Sequence, residues 1–246
     1  MAVSQVAGTM AQAIGRTEAN QDLRSYARMA GSGLLVGLAS IAVLYGGSGA
    51  IAGTRPDDAT SAAAVSAFYD HPGLAWLFWQ TAISVVGLAF FALAFRRYLV
   101  TFASRPLVRQ LVDLGTVLLL MEMSVAVVQF GLQLSLVRLA GLADASLLGV
   151  FMAWNWIDNG TMLWLEFAWL ASLSLGALMS GALPRWLAGL GLVVALLLLV
   201  FAVPALMFGY PVGISFVAFG PFMAWFLITG IYLVRGGRET ERSSSE

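Results

Sequence analysis

The chain has no cysteine, one histidine, and charged residues at only 11% of its positions. Without cysteine there are no structural disulfides, no iron–sulfur clusters and no thiol chemistry. A single histidine rules out bis-histidine haem ligation within one chain and leaves a zinc site short of ligands. Lysine is also missing, so all 13 basic residues are arginine, which reads as GC-rich codon usage and not as function. The formal net charge is zero, which argues against a nucleic-acid partner. No nucleotide-binding loop, nucleophile–base pair or metal-ligand cluster stands in the sequence. No cofactor is expected.

Apolar residues are what the chain has in excess. They make up 60% of its 246 residues, and mean hydropathy is +0.86. So few charges cannot cover a soluble domain of this size, so the expected solvent is a bilayer. Six apolar runs are long enough to span it, at about 29–52, 74–95, 111–137, 149–181, 186–208 and 215–234. The fold class is therefore an all-α, polytopic helical bundle with six transmembrane helices.

Residues 29–235 form the transmembrane domain. Residues 1–28 are polar and read either as a disordered tail or as a weakly amphipathic helix on the membrane surface. Residues 236–246 read as a disordered tail. With both ends cytoplasmic, the inner side holds Arg16, Arg24, Arg28, Arg96, Arg97, Arg105, Arg109, Arg185, Arg235, Arg238 and Arg242. The outer side holds only Arg55 and Arg138. Such a bias is the positive-inside pattern and supports an even number of spans. The expected location is a bacterial plasma membrane.

Two carboxylates lie inside these runs, Glu122 in span 3 and Glu166 in span 4. At about 100° per residue, Gln129 and Gln133 share the direction of Glu122. Asn159 and Asn155 share that of Glu166, in mirror order. Antiparallel neighbours then pair Glu122 with Glu166, Gln129 with Asn159, and Gln133 with Asn155. Asp158 sits beside this stripe and belongs to the same candidate cleft. At a rise of about 1.5 Å per residue the seam is about 16 Å long, half the hydrocarbon thickness. Residues 145–157 read as an amphipathic or tilted approach to span 4, with room for a re-entrant turn at Asp158-Asn159-Gly160. Polar groups in lipid must be paired, and intramembrane carboxylates face the bundle interior. Two of them side by side would share a proton. Gln80 in span 2 is a further candidate for the seam.

Three functions fit this pattern. The first is binding or translocation of a proton or a small-molecule or lipid ligand through the cleft. The second is a structural or accessory subunit, with a membrane-protein partner or a second copy of the chain, in which the amides and acids only join helices. An intramembrane acid–base enzyme comes last, because few catalytic side chains are present. Asp57, Asp58, Asp70 and His71 are explained by helix caps and a turn before they are explained by a metal. Gly33-x-x-x-Gly37 and Gly49-x-x-x-Gly53 favour close helix approach, most simply within the bundle.

From Leu183-Pro184-Arg185-Trp186-Leu187-Ala188-Gly189 to Tyr232-Leu233-Val234-Arg235-Gly236 the chain resembles a bacterial family of six-span membrane proteins known only as a domain of unknown function. The resemblance extends over spans 1–6 in spacing and loop length. It implies the six-span fold, and it assigns no reaction, cofactor or site residue.

Overall fold

Each apolar run becomes a helix whose ends are set by local chemistry. A computed structural model describes the backbone of residues 2–56, 61–142, 144–208 and 215–237, and side chains within 20–56, 61–142, 144–158, 160–204 and 217–237. Helix α1 is Ala2–Ala52. Helix α2 is Ala62–Tyr69, capped by the Ser61 hydroxyl, which accepts from the Ala64 amide at 3.2 Å. Asp57 and Asp58, the expected caps, lie outside the described residues.

Helices α3 (Pro72–Phe102) and α4 (Pro106–Leu139) both begin with proline in the first turn, where its missing N–H costs nothing. Helix α5 (Ala145–Trp156) is capped by Asp144. It runs through a π-helical turn, Ile157–Met162, into α6 (Leu163–Ser180). Gly181, at φ 65°, ends α6 in the left-handed conformation glycine adopts freely. Helices α7 (Arg185–Phe208) and α8 (Ser215–Val234) follow.

Six segments are long and apolar enough to cross a membrane: Asn20–Ala52, Pro72–Phe102, Pro106–Leu142, Ala145–Ser180, Arg185–Pro204 and Val217–Val234. No strand occurs among the described residues. The fold class is that expected from the sequence.

Two boundaries lie outside the apolar runs. The polar stretch before residue 29, read either as a tail or as a helix, is helical from Ala2 and continuous with the first span. It contains no proline to stop the helix. Of the arginines between the expected spans 2 and 3, Arg96 and Arg97 lie within α3, Arg109 lies in the first turn of α4, and Arg105 alone lies in the turn at residues 103–105. Residues 238–246 of the expected tail lie outside the described residues. Gly236 and Gly237 form a turn, with Gly237 against Tyr98.

The spans form a ring in chain order. Helix α1 packs on α3, α3 on α4, α4 on α6, α6 on α7, α7 on α8, and α8 returns to α1. Glycines bring several of these pairs together. A Cβ on Gly33 would come within 2.5 Å of the Gly87 carbonyl oxygen, and one on Gly31 within 2.6 Å of that of Gly230. The Gly33 motif is thus used for internal packing, whereas Gly49 and Gly53 meet nothing within 4 Å.

The two ends of the ring are closed differently. At one end Arg96 bonds Asp113 at 2.7 Å, and the Tyr98 hydroxyl donates to the Ala182 carbonyl at 3.0 Å. At the other, α2 covers the ends of α4 and α5. There Val65, Phe68 and Tyr69 join Leu136, Phe151 and Trp154 in a small second core. The outside of the ring is apolar. Val193, Leu196 and Val200 on α7 are about 60% exposed, as only a lipid-facing or covered surface tolerates.

Candidate functional site: a polar cavity inside the ring

A cavity of about 140 Å³ lies within the ring, and all six spans contribute to its wall. Helix α4 presents Glu122, Gln129 and Gln133, the stripe expected from helical spacing. Glu122 is 3% exposed and accepts a hydrogen bond from the Trp169 indole N–H of α6. Glu166 lines the same cavity from α6. Tyr45 enters from α1, Thr81 and Ser84 from α3, Leu198 from α7, and Phe222 and Phe226 from α8. The polar groups therefore sit on one arc, and the facing arc on α7 and α8 is apolar.

The cross-helix partners differ from the expected ones, for a local reason. Gln129 donates from Nε2 to Oδ1 of Asp158 at 2.8 Å. Gln133 Oε1 accepts from Thr81 Oγ1 on α3 at 3.5 Å, not from Asn155. Asn155 is buried but does not line the cavity. The side chain of Asn159 lies outside the described residues. The cause is the π-helical turn at 157–162. An i→i+5 turn holds one residue more than an α-turn. The extra residue brings Asp158 to Gln129 and into the cavity wall with Glu166, and turns Asn155 away from it. No re-entrant turn forms; the helix continues through Asp158-Asn159-Gly160.

The π-turn also assembles a charged cluster that periodicity could not foresee. Arg55 follows α1, and its Nη2 lies 3.6 Å from Oδ2 of Asp158. Its guanidinium carbon stands 3.5 Å from the centroid of the Trp154 ring. Trp154 and Asp158 are four residues apart on one helix face, so they hold the guanidinium from two sides. Nearby in α2, burial pushes the Tyr69 phenol up to about 12, with Arg55 opposing the shift and Asp158 adding to it. That phenol stays neutral throughout the physiological range.

Gln80 does not join the site. The Ser40 hydroxyl donates to its backbone carbonyl between α1 and α3, and its neighbour Thr81 reaches the cavity instead. Tyr45, Arg55, Trp154 and Trp169 are the contributors that spacing alone missed. Arg55 carried one signal, being one of two arginines outside the basic side.

Chemically the site offers carboxylates, amides, a phenol and one guanidinium around a cavity of about 140 Å³. Among the described residues no group of three histidine, aspartate or glutamate side chains is placed to hold a metal. No family model matches the chain, and no curated protein or solved structure matches it either.

Proposed function

We propose that this chain binds or passes a proton or a small ligand through the cavity inside its six-helix ring. The supporting observation is that Glu122 and Glu166 border the same cavity near the middle of their spans. Side chains that merely join helices would fill the space between them; here they surround it. The volume discriminates among ligands. Sites for drug-sized molecules occupy about 300–1,000 Å³. A cavity of about 140 Å³ is close to the roughly 150 Å³ that accommodates benzene. It suits a proton carried on waters, or a very small ligand, better than a lipid.

The same proposal places the chain in a bacterial plasma membrane, with the arginine-rich end of the ring in the cytoplasm. The α2 end, with Arg55 and the Asp158 pair, then faces outward. The resemblance at Leu183-Pro184-Arg185-Trp186 supports a bacterial six-span family. The competing reading is a structural subunit whose glutamates only tie helices together.

Proton flux into liposomes carrying the purified chain separates the two. Flux that disappears in both Glu122→Gln and Glu166→Gln, while the proteins stay folded, supports the cavity. Wild-type behaviour in both variants, with a second polypeptide retained in mild detergent, supports the subunit.

A further inference from the structure

Granted that the cavity is the binding site, its lining narrows the occupant. The charged and titratable groups around it are Tyr45 from α1, Arg55 beyond it, Glu122 from α4, Asp158 from the π-turn and Glu166 from α6. Helices α3, α7 and α8 supply none. Among the described residues the one cation lining the cavity, Arg55, is paired with Asp158, which leaves Glu122 and Glu166 without a paired cation. A low-dielectric site does not hold uncompensated charge. Each of these carboxyls is therefore balanced by a proton or by a visiting cation.

The rest of the wall favours an organic cation over a metal ion. Metal ions such as sodium or calcium need a shell of oxygens. Oxygens of Thr81, Ser84, Gln129 and Gln133 lie on the carboxyl arc, but the α8 arc carries the rings of Phe219, Phe222 and Phe226, with Phe219 5.3 Å from Tyr45 between centroids, and gives a metal ion no side-chain oxygen there. Aromatic faces attract alkylammonium and guanidinium groups. The chain already binds one such group in this manner, since Arg55 lies between the Trp154 ring and the Asp158 carboxylate. The volume limits the guest to about six non-hydrogen atoms, by comparison with a benzene-sized cavity.

We infer that the cavity binds a small monovalent organic cation, of the methylammonium to tetramethylammonium class, between Glu122 and Glu166 and the aromatic wall of α8. The cation enters as one carboxyl proton leaves to bulk water, so the charge of the site is unchanged.

The test is calorimetric titration of the full chain in detergent with methylammonium and tetramethylammonium chloride, in two buffers of different ionisation enthalpy. Sodium chloride is the control. Saturable binding with about one proton released supports the inference. Affinity for methylammonium should fall roughly tenfold to hundredfold in Glu122→Gln or Glu166→Gln, as for loss of a charged hydrogen-bonding partner. It should be unchanged in Asp113→Asn, at the far end of the ring. If the glutamate variants do not fold, wild type alone decides, because proton competition must weaken cation binding as pH falls from 8 to 5.

No binding at millimolar concentration, equal binding of sodium, or affinity that does not change with pH overturns the inference. Infrared difference spectra after a pH jump, without any added cation, separate this failure from failure of the underlying reading. A carboxyl signal lost in Glu122→Gln, with no cation binding, keeps the proton site and removes the organic cation. Neither signal removes both.

Discussion

Gln129 on α4 donates to the Asp158 carboxylate at 2.8 Å, and the other oxygen of that carboxylate faces Arg55. One side chain thereby links span 3, span 4 and the segment after span 1. The side chains of Arg55 and Asp158 are 18% and 22% exposed, so the pair is largely desolvated. Asp158→Ala leaves the guanidinium without its counter-ion and is expected to cost about 2–3 kcal/mol, below the range for a fully buried pair. Arg55→Met combined with Asp158→Asn should cost less than the sum of the single changes. Thermal melting of the four proteins in one detergent closes this cycle, and strict additivity would show that the pair is not coupled.

Gly33 and Gly87 set the spacing of α1 against α3. Alanine at either position puts a Cβ within 3 Å of a backbone oxygen on the facing helix. Backbone cannot yield as a flexible side chain does, so each change should cost about 1–3 kcal/mol. Gly49→Ala, which meets nothing within 4 Å, should leave the melting temperature unchanged or raise it slightly. Equal effects at positions 33 and 49 would contradict the packing described.

Trp169 is fully buried, and its indole N–H donates to Glu122. Glu122→Gln keeps an acceptor there, whereas Glu122→Leu does not. The leucine variant is expected to be about 1–3 kcal/mol less stable than the glutamine variant, the cost of an unpaired buried donor. The comparison isolates the structural part of this residue from any part in binding. If the two melt together, Trp169 does not depend on residue 122.

Tyr69 predicts the alkaline limit of the fold. Its phenol ionises at 10.0 in the unfolded chain and at about 12 when buried. Between those values the unfolded chain has released a proton that the folded chain retains, so stability falls as pH rises. The loss should reach about 2–3 kcal/mol near pH 12. In Tyr69→Phe the alkaline loss measured by melting between pH 9 and 12 should be smaller by that amount. An identical slope in both proteins would assign it to other groups.

The absence of cysteine makes orientation directly measurable. A single cysteine at the exposed positions Ala63 and Ser104 samples opposite ends of the ring. Ala63→Cys should react with an impermeant maleimide on intact cells. Ser104→Cys should react only after the membrane is opened. The reverse pattern would invert the proposed topology.

The expected stripe Glu122, Gln129 and Gln133 does line the cavity, because α4 is a regular helix from Pro106 to Leu139. On span 4 Asn155 does not line the cavity and Asp158 does, because the π-turn inserts one residue into the count. Nothing in Ile157-Asp158-Asn159-Gly160 distinguishes a π-turn from a loop by composition. Arg55 was legible as an isolated charge on the sparsely charged side. Its stacking on Trp154 depends on contacts a hundred residues apart.

Apolar run lengths and the scarcity of charge by themselves determined six membrane-spanning helices. A bilayer core demands about twenty apolar residues per crossing and internally satisfied backbone hydrogen bonds. That local requirement can be read one segment at a time. Only the tertiary structure decided that the spans close into a ring, that its centre stays open, and that Arg55 joins Asp158 at that opening. Those outcomes depend on glycine contacts between distant helices and on one extra residue in a helical turn, and neither leaves a periodic trace in the sequence.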